Sequence, residues 1–435
     1  MLLPDHLHPA DLADELQRLT PEQAQARLRS LPRDQAAAVV QELDDELRPR
    51  LLEGLSKKEL SELVGDLPHN EAADVIGKLP KEQQTELIYK LPRDDQQEVT
   101  KLLQYPPDTA GGIMSDEFIA LDADQTVEGC LKSLRPKAEE QPDRNVRLAS
   151  ISYLYLTDDC KRLIGIVSLR DLVFSRPDRC IREMMNPDVK AVSVNDDQEK
   201  IARLFEHYHY LALPVVEKDG RLVGIVSAKA VMGVIQDEAT EDMQLMVGLS
   251  GEERAFTPWQ TSIRRRLPWL CINLGTAFLA GAVVQIFEGT IARWTALAIF
   301  LPIVAGQGGN AGAQTLTVIV REMALGEMSK GDGRRALIKE AILGVCNGLA
   351  IGVLVGVVAY FWKGKAMLGL IVGVAMLLNM IAAALSGVFV PYTLRAFKVD
   401  PALASSIFVT TVTDVAGFFF FLGLAAVMLH FFPLH

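Results

Sequence analysis

Residues 403–432 read LASSIFVTTVTDVAGFFFFLGLAAVMLHFF, an apolar run interrupted near its middle by Thr410, Thr411, Thr413 and Asp414. A helix needs about 20 apolar residues to cross the hydrocarbon of a bilayer, so this run is long enough to span it. A carboxylate at mid-span is costly unless it is paired or faces water, which makes Asp414 a functional candidate. Four more stretches reach spanning length, 267–287, 294–320, 337–362 and 367–392. The second of them contains Pro302-Ile-Val-Ala-Gly-Gln-Gly-Gly-Asn-Ala-Gly-Ala-Gln314. Its glycines permit either a close helix approach or a broken helix. Asn310 and Gln314 are spaced i, i+4 and share one helical face. Oxygen donors with no imidazole or thiolate among them suit a hard cation.

Lys and Arg in the short connections set the orientation. With the N-terminus inside, Arg264, Arg265, Arg266, Arg321, Lys330, Arg334, Arg335, Lys339, Arg395 and Lys398 fall inside, against Arg293, Lys363 and Lys365 outside. The expectation is five spans with the C-terminus outside, in an inner (cytoplasmic) membrane. Of 435 residues 49% are apolar, yet 23% are charged, so the two kinds are segregated along the chain. Beyond residue 266 there are ten Lys/Arg and seven Asp/Glu, which leaves 34 basic and 48 acidic residues before it. An acidic first part repels phosphate backbones and argues against a nucleic-acid partner. Cys130, Cys160, Cys180, Cys271 and Cys346 follow no metal or disulfide spacing. Residues 1–20 are charged and amphipathic, unlike a secretory signal.

The first 105 residues carry a twelve-residue period: Leu19, Leu31, Leu43, Leu55, Leu67, Leu79, Leu91 and Leu103. Pro21, Pro32, Pro68, Pro80 and Pro92 follow these leucines, where proline starts a helix. Each repeat is predicted to be a helix of about two turns and a tight turn, stacked as an all-α superhelical solenoid. A second repeat matches Arg162-Leu-Ile-Gly-Ile-Val-Ser-Leu-Arg-Asp171 to Arg221-Leu-Val-Gly-Ile-Val-Ser-Ala-Lys-Ala230, a β-branched strand followed by a helix start. Residues 133–146 are expected to be a loop insertion in the first copy. The arrangement resembles a tandem pair of cystathionine-β-synthase-type (CBS) domains, an α/β module that often binds adenine nucleotides. That resemblance implies that Ser168, Arg170 and Asp171 contact a nucleotide such as ATP, while Ala230 replaces the acid in the second copy. His207 and His209 alternate on a predicted helix, so they face different sides and read as surface residues.

An acidic stretch, Gln236-Asp-Glu-Ala-Thr-Glu-Asp242, then opens a connecting helix expected to reach Arg266. The architecture is therefore a multidomain membrane protein with a solenoid at 1–105, tandem CBS domains at 106–236, a plug-like connecting helix at 237–266 and a five-helix transmembrane domain at 267–435.

The whole chain resembles the MgtE family of magnesium transporters and channels. The motifs are Asp108-Thr-Ala-Gly-Gly-Ile-Met114, Glu238-Ala-Thr-Glu-Asp242, the 302–314 stretch, Arg321-Glu-Met-Ala-Leu-Gly326, Asp400-Pro-Ala-Leu-Ala404 and Thr410-Thr-Val-Thr-Asp414. The resemblance implies a homodimer in membrane lipid, with Asp414 of both chains binding Mg²⁺ near the midplane. Asn310, Gln314, Thr410 and Thr411 are the further candidates along that path, with Co²⁺ and Ni²⁺ as alternative cargo. It also implies regulatory Mg²⁺ between the N-terminal domains and the connecting helix, for which Glu71, Asp74, Asp237, Glu238, Glu241, Asp242 and Asp400 are the candidates. The chain departs from the family where Lys229 and Ala230 replace an acidic pair, and where Pro68-His-Asn-Glu-Ala-Ala-Asp74 replaces a more acidic pattern. Feedback by Mg²⁺ is expected to be weakened accordingly.

Two other functions compete with a channel. A Na⁺- or H⁺-coupled exchanger would need a further charge inside the membrane, and Glu288, Arg293 and Glu340 read as lying near span ends. A membrane-anchored nucleotide sensor would have no use for the buried oxygens of Asp414, Asn310 and Gln314. No phosphate-binding G-x-x-x-x-G-K-[ST] loop is present, and the chain does not read as an enzyme.

Overall fold

The computed structural model describes residues 8–432 apart from 44–47, 49–50, 53, 140–152, 252, 254, 256, 329–330 and 404. The chain divides into two compact units, Met1–Gln236 and Asp237–His435.

In the first unit the twelve-residue period becomes short helices: α1 Pro9–Gln17, α2 Pro21–Ser30, α3 Arg33–Glu42, α4 Lys57–Gly65, α5 His69–Gly77, α6 Lys81–Lys90 and α7 Arg93–Leu102. Pro21 is the first residue of α2, whereas Pro32, Pro68, Pro80 and Pro92 are N-caps of their helices. Their carbonyls accept the first helical hydrogen bonds, for instance from Ala36 and Ala72 at 2.8 Å. Capping boxes close α2 (Thr20 with Gln23) and α4 (Ser56 with Glu59), satisfying amide donors that have no helical partner. Of the periodic leucines, Leu31, Leu43, Leu67 and Leu91 are buried, and Leu19, Leu55, Leu79 and Leu103 pack against the same core. Helices of alternate repeats meet, α1 on α3 and α5 on α7, as stacking of repeats requires.

The core continues into the CBS pair through Ala110, Met114, Val192, Ile201, Leu213 and Val226. Each copy has a three-stranded sheet: β1 Ala120–Asp122, β2 Tyr153–Thr157 and β3 Leu163–Ser168, then β4 Val192–Ser193, β5 Ala212–Val216 and β6 Leu222–Ser227. In each, the first two strands run parallel and the last two antiparallel. The copies exchange their leading segments, Ser115 pairing with Ile225 and Asn186 with Ile166. Gly165 and Gly224 make room for this: a Cβ there would lie 2.9 Å from Met185 Sδ and 2.6 Å from Met114 Sδ. The short α8, Ala110–Ile113, accordingly docks on the second copy. The expected loop at 133–146 is corrected in part, because α9 runs Val127–Glu139; residues 140–146 lie outside the described residues. Helices α10, Leu169–Val173, and α11, Gln198–Tyr208, follow β3 and β4, and His209 ends α11 in the left-handed conformation.

The expected single connecting helix is divided. Residues 237–246 continue α12, Ala228–Met246, and α13 begins at Trp259. Gly248 and Gly251 take φ of 77° and 79°, values that a continuing helix does not allow. The loop is tied by Gln244, whose amide bonds both the carbonyl and the N–H of Glu253 at 2.7 and 3.0 Å. Buried Glu253 meets Arg266 at 2.6 Å, and the guanidinium holds its carboxyl below the usual range.

In the second unit the long helices are α13 Trp259–Ile286, α15 Leu297–Ala324, α16 Gly333–Lys363, α17 Ala366–Ala396 and α18 Ser405–Phe431, with the short α14 Glu288–Arg293 after α13. Four of them, α13, α16, α17 and α18, are long and apolar enough to cross a membrane. The polar 302–314 stretch makes α15 less apolar, yet its 28 residues form one helix, about 42 Å long at 1.5 Å per residue. Neither α15 nor α18 is broken, so the glycines serve approach and not interruption. Helix α17 packs on α15, α16 and α18. Against α16 the contact is backbone on backbone: a Cβ at Gly369 would lie 2.5 Å from the carbonyl oxygen of Gly356, and one at Gly352 2.6 Å from that of Gly373. With no hydrophobic force between helices in lipid, such close packing is what holds them together. Gly369→Leu is expected to lower stability by about 1–3 kcal/mol through overpacking. Gly289→Ala, where a Cβ meets nothing within 4 Å, should leave the unfolding midpoint in detergent nearly unchanged.

Candidate cation path in the membrane helices

Thr410 and Asp414 lie one turn apart on α18, a spacing that puts them on one face. Asp414 is partly buried within a single chain and Thr410 is exposed. Thr411 and Thr413 turn their hydroxyls to their own helix, donating to Ile407 O at 2.7 Å and Thr410 O at 2.9 Å. The glycines of α15 bring its backbone against this part of α18. A Cβ at Gly312 would lie 2.5 Å from Val409 Cγ1, and one at Gly309 would just touch Thr410.

The five candidates do not form one cluster in a single chain. Asn310, beside Gly309, is exposed. Gln314, exposed as well, lines a cavity of about 180 Å³ with Thr315, Lys339, Glu340 and Asn347. Thr410 lines a different one of about 380 Å³, with Leu249, Arg266, Trp269, Asn273 and Ser406. The end of α12 is seated near α18: Leu245 and Met246 pack on Leu316, Val320, Ala402 and Val409, and Ser406 Oγ donates to Met246 O at 2.6 Å. Among the described residues no three His, Cys, Asp or Glu side chains converge as a metal site.

Of two buried polar groups in the membrane helices, a reading of the sequence misplaces one and misses the other. Glu340, expected near a span end, lies two turns inside α16 and is 5% exposed. It accepts a hydrogen bond from Thr315 Oγ1 at 2.9 Å and meets Lys339 Nζ at 3.3 Å. Asn379 on α17 is fully buried and donates to Val304 O at 2.9 Å. Gly308 of α15 and Gly417 of α18 both face it, and a Cβ at either would collide with its amide. Asn379 thus joins the two helices that bear the motifs, and its one signal is a lone amide in the run Met376-Leu-Leu-Asn-Met380.

The regulatory candidates are distributed. Glu71 pairs with buried Arg48 at 3.2 Å, and Arg48 also bonds the carbonyls of Gln41 and Leu43. Asp74 is on α5 with Glu71, while Asp237, Glu238, Glu241 and Asp242 are on α12. Asp400 accepts from the N–H of Ala402 at 2.7 Å, shaping the turn before α18. Where the sequence departs from the family it resembles, two of the residues present, His69 and Lys229, form ion pairs. His69 lies between Asp116 at 2.5 Å and Asp95 at 3.2 Å, and Lys229 reaches Glu42 at 2.6 Å. The Asp116 hydrogen bond, opposed by burial and aided by Asp95, raises the His69 pKa to about 9.

At the CBS pair, Ser168 caps α10 by accepting from Asp171 N at 3.0 Å, and Ser227 does the same for Ala230 N at 3.3 Å. This shared serine therefore has a structural task in both copies. Arg170 and Asp171 are exposed, their charges 3.9 Å apart.

A multi-pass bundle whose polar helices stay unbroken around a mid-span carboxylate has the build of a membrane cation transporter. Residues 301–424 match a family described as a divalent cation transporter, MgtE; 7–108 match the MgtE intracellular N domain, and 110–177 and 181–237 match the CBS domain. The chain is 38% identical over 339 residues to the magnesium transporter MgtE of Thermus thermophilus, covering 76% of this chain and 72% of that one. It is 34% identical over 333 residues to that of Bacillus subtilis, again covering 76% and 72%. A crystal structure of the cytosolic domain of the Mg²⁺ channel MgtE in complex with ATP shares 36% identity, covering 53% of this chain and 91% of its own, at a TM-score of 0.48. The chain belongs to the MgtE family, whose named members are transporters and not enzymes. Membership removes the reading in which the membrane helices only anchor a sensor.

Thr315→Val leaves the buried Glu340 without its hydroxyl donor and is expected to cost about 1–3 kcal/mol. Thermal unfolding should show Thr315→Ser, which keeps the hydroxyl, retaining most of the wild-type midpoint.

Proposed function

We propose that two copies of this chain form a Mg²⁺ channel that admits the ion down the membrane potential. Asp414 is the observation that supports the reading most: an acid in the middle of an apolar helix, partly buried and on one face with Thr410. Mg²⁺ gives up water reluctantly and is bound through one or two carboxylates with several waters retained, so a symmetric pair of Asp414 suits a hydrated ion. Asn310 and Thr410, both exposed in one chain, are where a second copy would complete the path. Inward movement of two charges gains about 4.6 kcal/mol per 100 mV, twice the single-charge figure. On the Lys/Arg bias the N-terminus lies in the cytoplasm and the C-terminus outside, in an inner membrane. The acids of α12 with Asp400, and Glu71 with Asp74, are the regulatory candidates. Co²⁺ and Ni²⁺ are alternative cargo, and ATP is the ligand proposed at Ser168, Arg170 and Asp171.

One observation favours a second reading. An exchanger needs another intramembrane charge, and buried Glu340 beside Gln314 supplies it. Electrical recording separates the two. A channel gives currents that reverse at the Mg²⁺ equilibrium potential and ignore Na⁺ and pH gradients; an exchanger shifts with those gradients and loses the shift in Glu340→Gln.

Asp414→Ala is expected to abolish Mg²⁺ uptake while the protein still inserts and dimerises, since removing the acid also removes its desolvation cost. Near-normal uptake by the inserted variant would take Asp414 out of the path. Asn310→Ala should alter the Mg²⁺/Co²⁺ uptake ratio without changing the unfolding midpoint.

A further inference from the structure

We propose that His69 and Lys229 act as tethered cations that hold the solenoid against the CBS pair, so that the N-terminal unit keeps its arrangement without a bound divalent ion. His69 opens α5, Asp95 lies in the first turn of α7, and Asp116 follows α8 at the entry to the first CBS copy. The ring therefore joins segments 26 and 47 residues away in the chain. All three side chains are largely shielded, at 17%, 20% and 14% exposure. A ring with a carboxylate oxygen at each nitrogen donates from both and is an imidazolium, and charge-assisted bonds of this kind are the stronger ones. Elsewhere on the same contact, Lys229 near the start of α12 reaches Glu42, the last residue of α3. Being exposed on the lysine side, this pair adds less.

Asp95, Asp116 and Glu42, at the junction of solenoid and CBS pair, thus already have a cation of the protein beside them. Mg²⁺ at Asp95 and Asp116 would have to displace the imidazolium or sit against its charge, and it gains little from carboxylates so engaged. Glu71, two residues on, is likewise held by Arg48. The latch goes beyond the transport reading and does not rest on it, because it concerns the arrangement of one unit and not ion flow. These three side chains do not converge as a metal site, and metal found in the purified protein would mean that an ion and not the protonated ring joins them.

The test is limited proteolysis of the full chain in nanodiscs, following cleavage between the solenoid and the CBS pair in EDTA and in millimolar Mg²⁺, together with the metal content of the purified protein. When closing outpaces cleavage, the rate reports the population of the open form. Wild type is expected to be cut at the same slow rate in both media and to retain no metal. His69→Ala should be cut about tenfold faster in both, as the loss of a strong contact implies, and Lys229→Ala about twofold faster. His69→Asp should be cut fast in EDTA and return toward the wild-type rate with Mg²⁺, a rescue that also shows the variant is folded. Wild-type protection that needs Mg²⁺, His69→Ala cut like wild type in EDTA, His69→Asp indifferent to Mg²⁺, or stoichiometric metal in the wild type would each overturn the proposal.

Discussion

How near α17 can come to its neighbours decides where much of the membrane unit lies. Lipid tails are as apolar as the side chains, so helices associate by packing and by hydrogen bonds that would otherwise go unmade. Gly352, Gly356, Gly369 and Gly373 let α17 meet α16 backbone to backbone. On another face, Gly308 and Gly417 leave a slot for the Asn379 amide, which bonds Val304 O beside a core that includes Phe300, Met376, Met380 and Phe421. Gly312 then seats α15 on Val409, a little over a turn before Asp414. The position of the mid-span carboxylate follows from small residues on other helices.

Hydropathy and period make the long helices and the short ones legible, because both are local properties of the chain. The 302–314 stretch leaves two outcomes open, and the structure chooses the unbroken helix. Gly308, Gly309 and Gly312 face side chains of α17 and α18, and a continuous helix keeps its own hydrogen bonds satisfied. Glu340 reads as a span-end residue for a related reason. The apolar run starts close to it, at 337, but α16 begins at Gly333, and the carboxylate is carried inward with Thr315 as its donor. Asn379 gives no period and no motif, only one amide among apolar residues, and its role exists only once three helices are assembled.

In the first unit the sequence tells what is missing and not what takes its place. His69 and Lys229 read as lost acids, yet each finds a carboxylate from a segment distant in the chain, Asp95 and Asp116 for the one and Glu42 for the other. Ser168 shows the opposite case, a residue singled out for a ligand that already has a helix to cap, with Ser227 doing the same at the equivalent place. A serine at a strand-to-helix turn is favoured for capping whether or not a nucleotide binds there.

Cation affinity depends on how well a carboxylate is already compensated, and the two units differ in that respect. Asp95, Asp116, Glu42 and Glu71 each have a basic side chain of the protein within hydrogen-bonding distance. Glu340 has Thr315 and Lys339, which leave its charge partly met inside a small cavity. Asp414 lies on a helix that carries no Lys or Arg, so an ion in the proposed path meets there a carboxylate that no residue of its own helix neutralises. A charge held in a low-dielectric setting attracts a divalent ion far more strongly than one in water. A site that keeps its ion hydrated limits that attraction, and an ion bound through water can also leave.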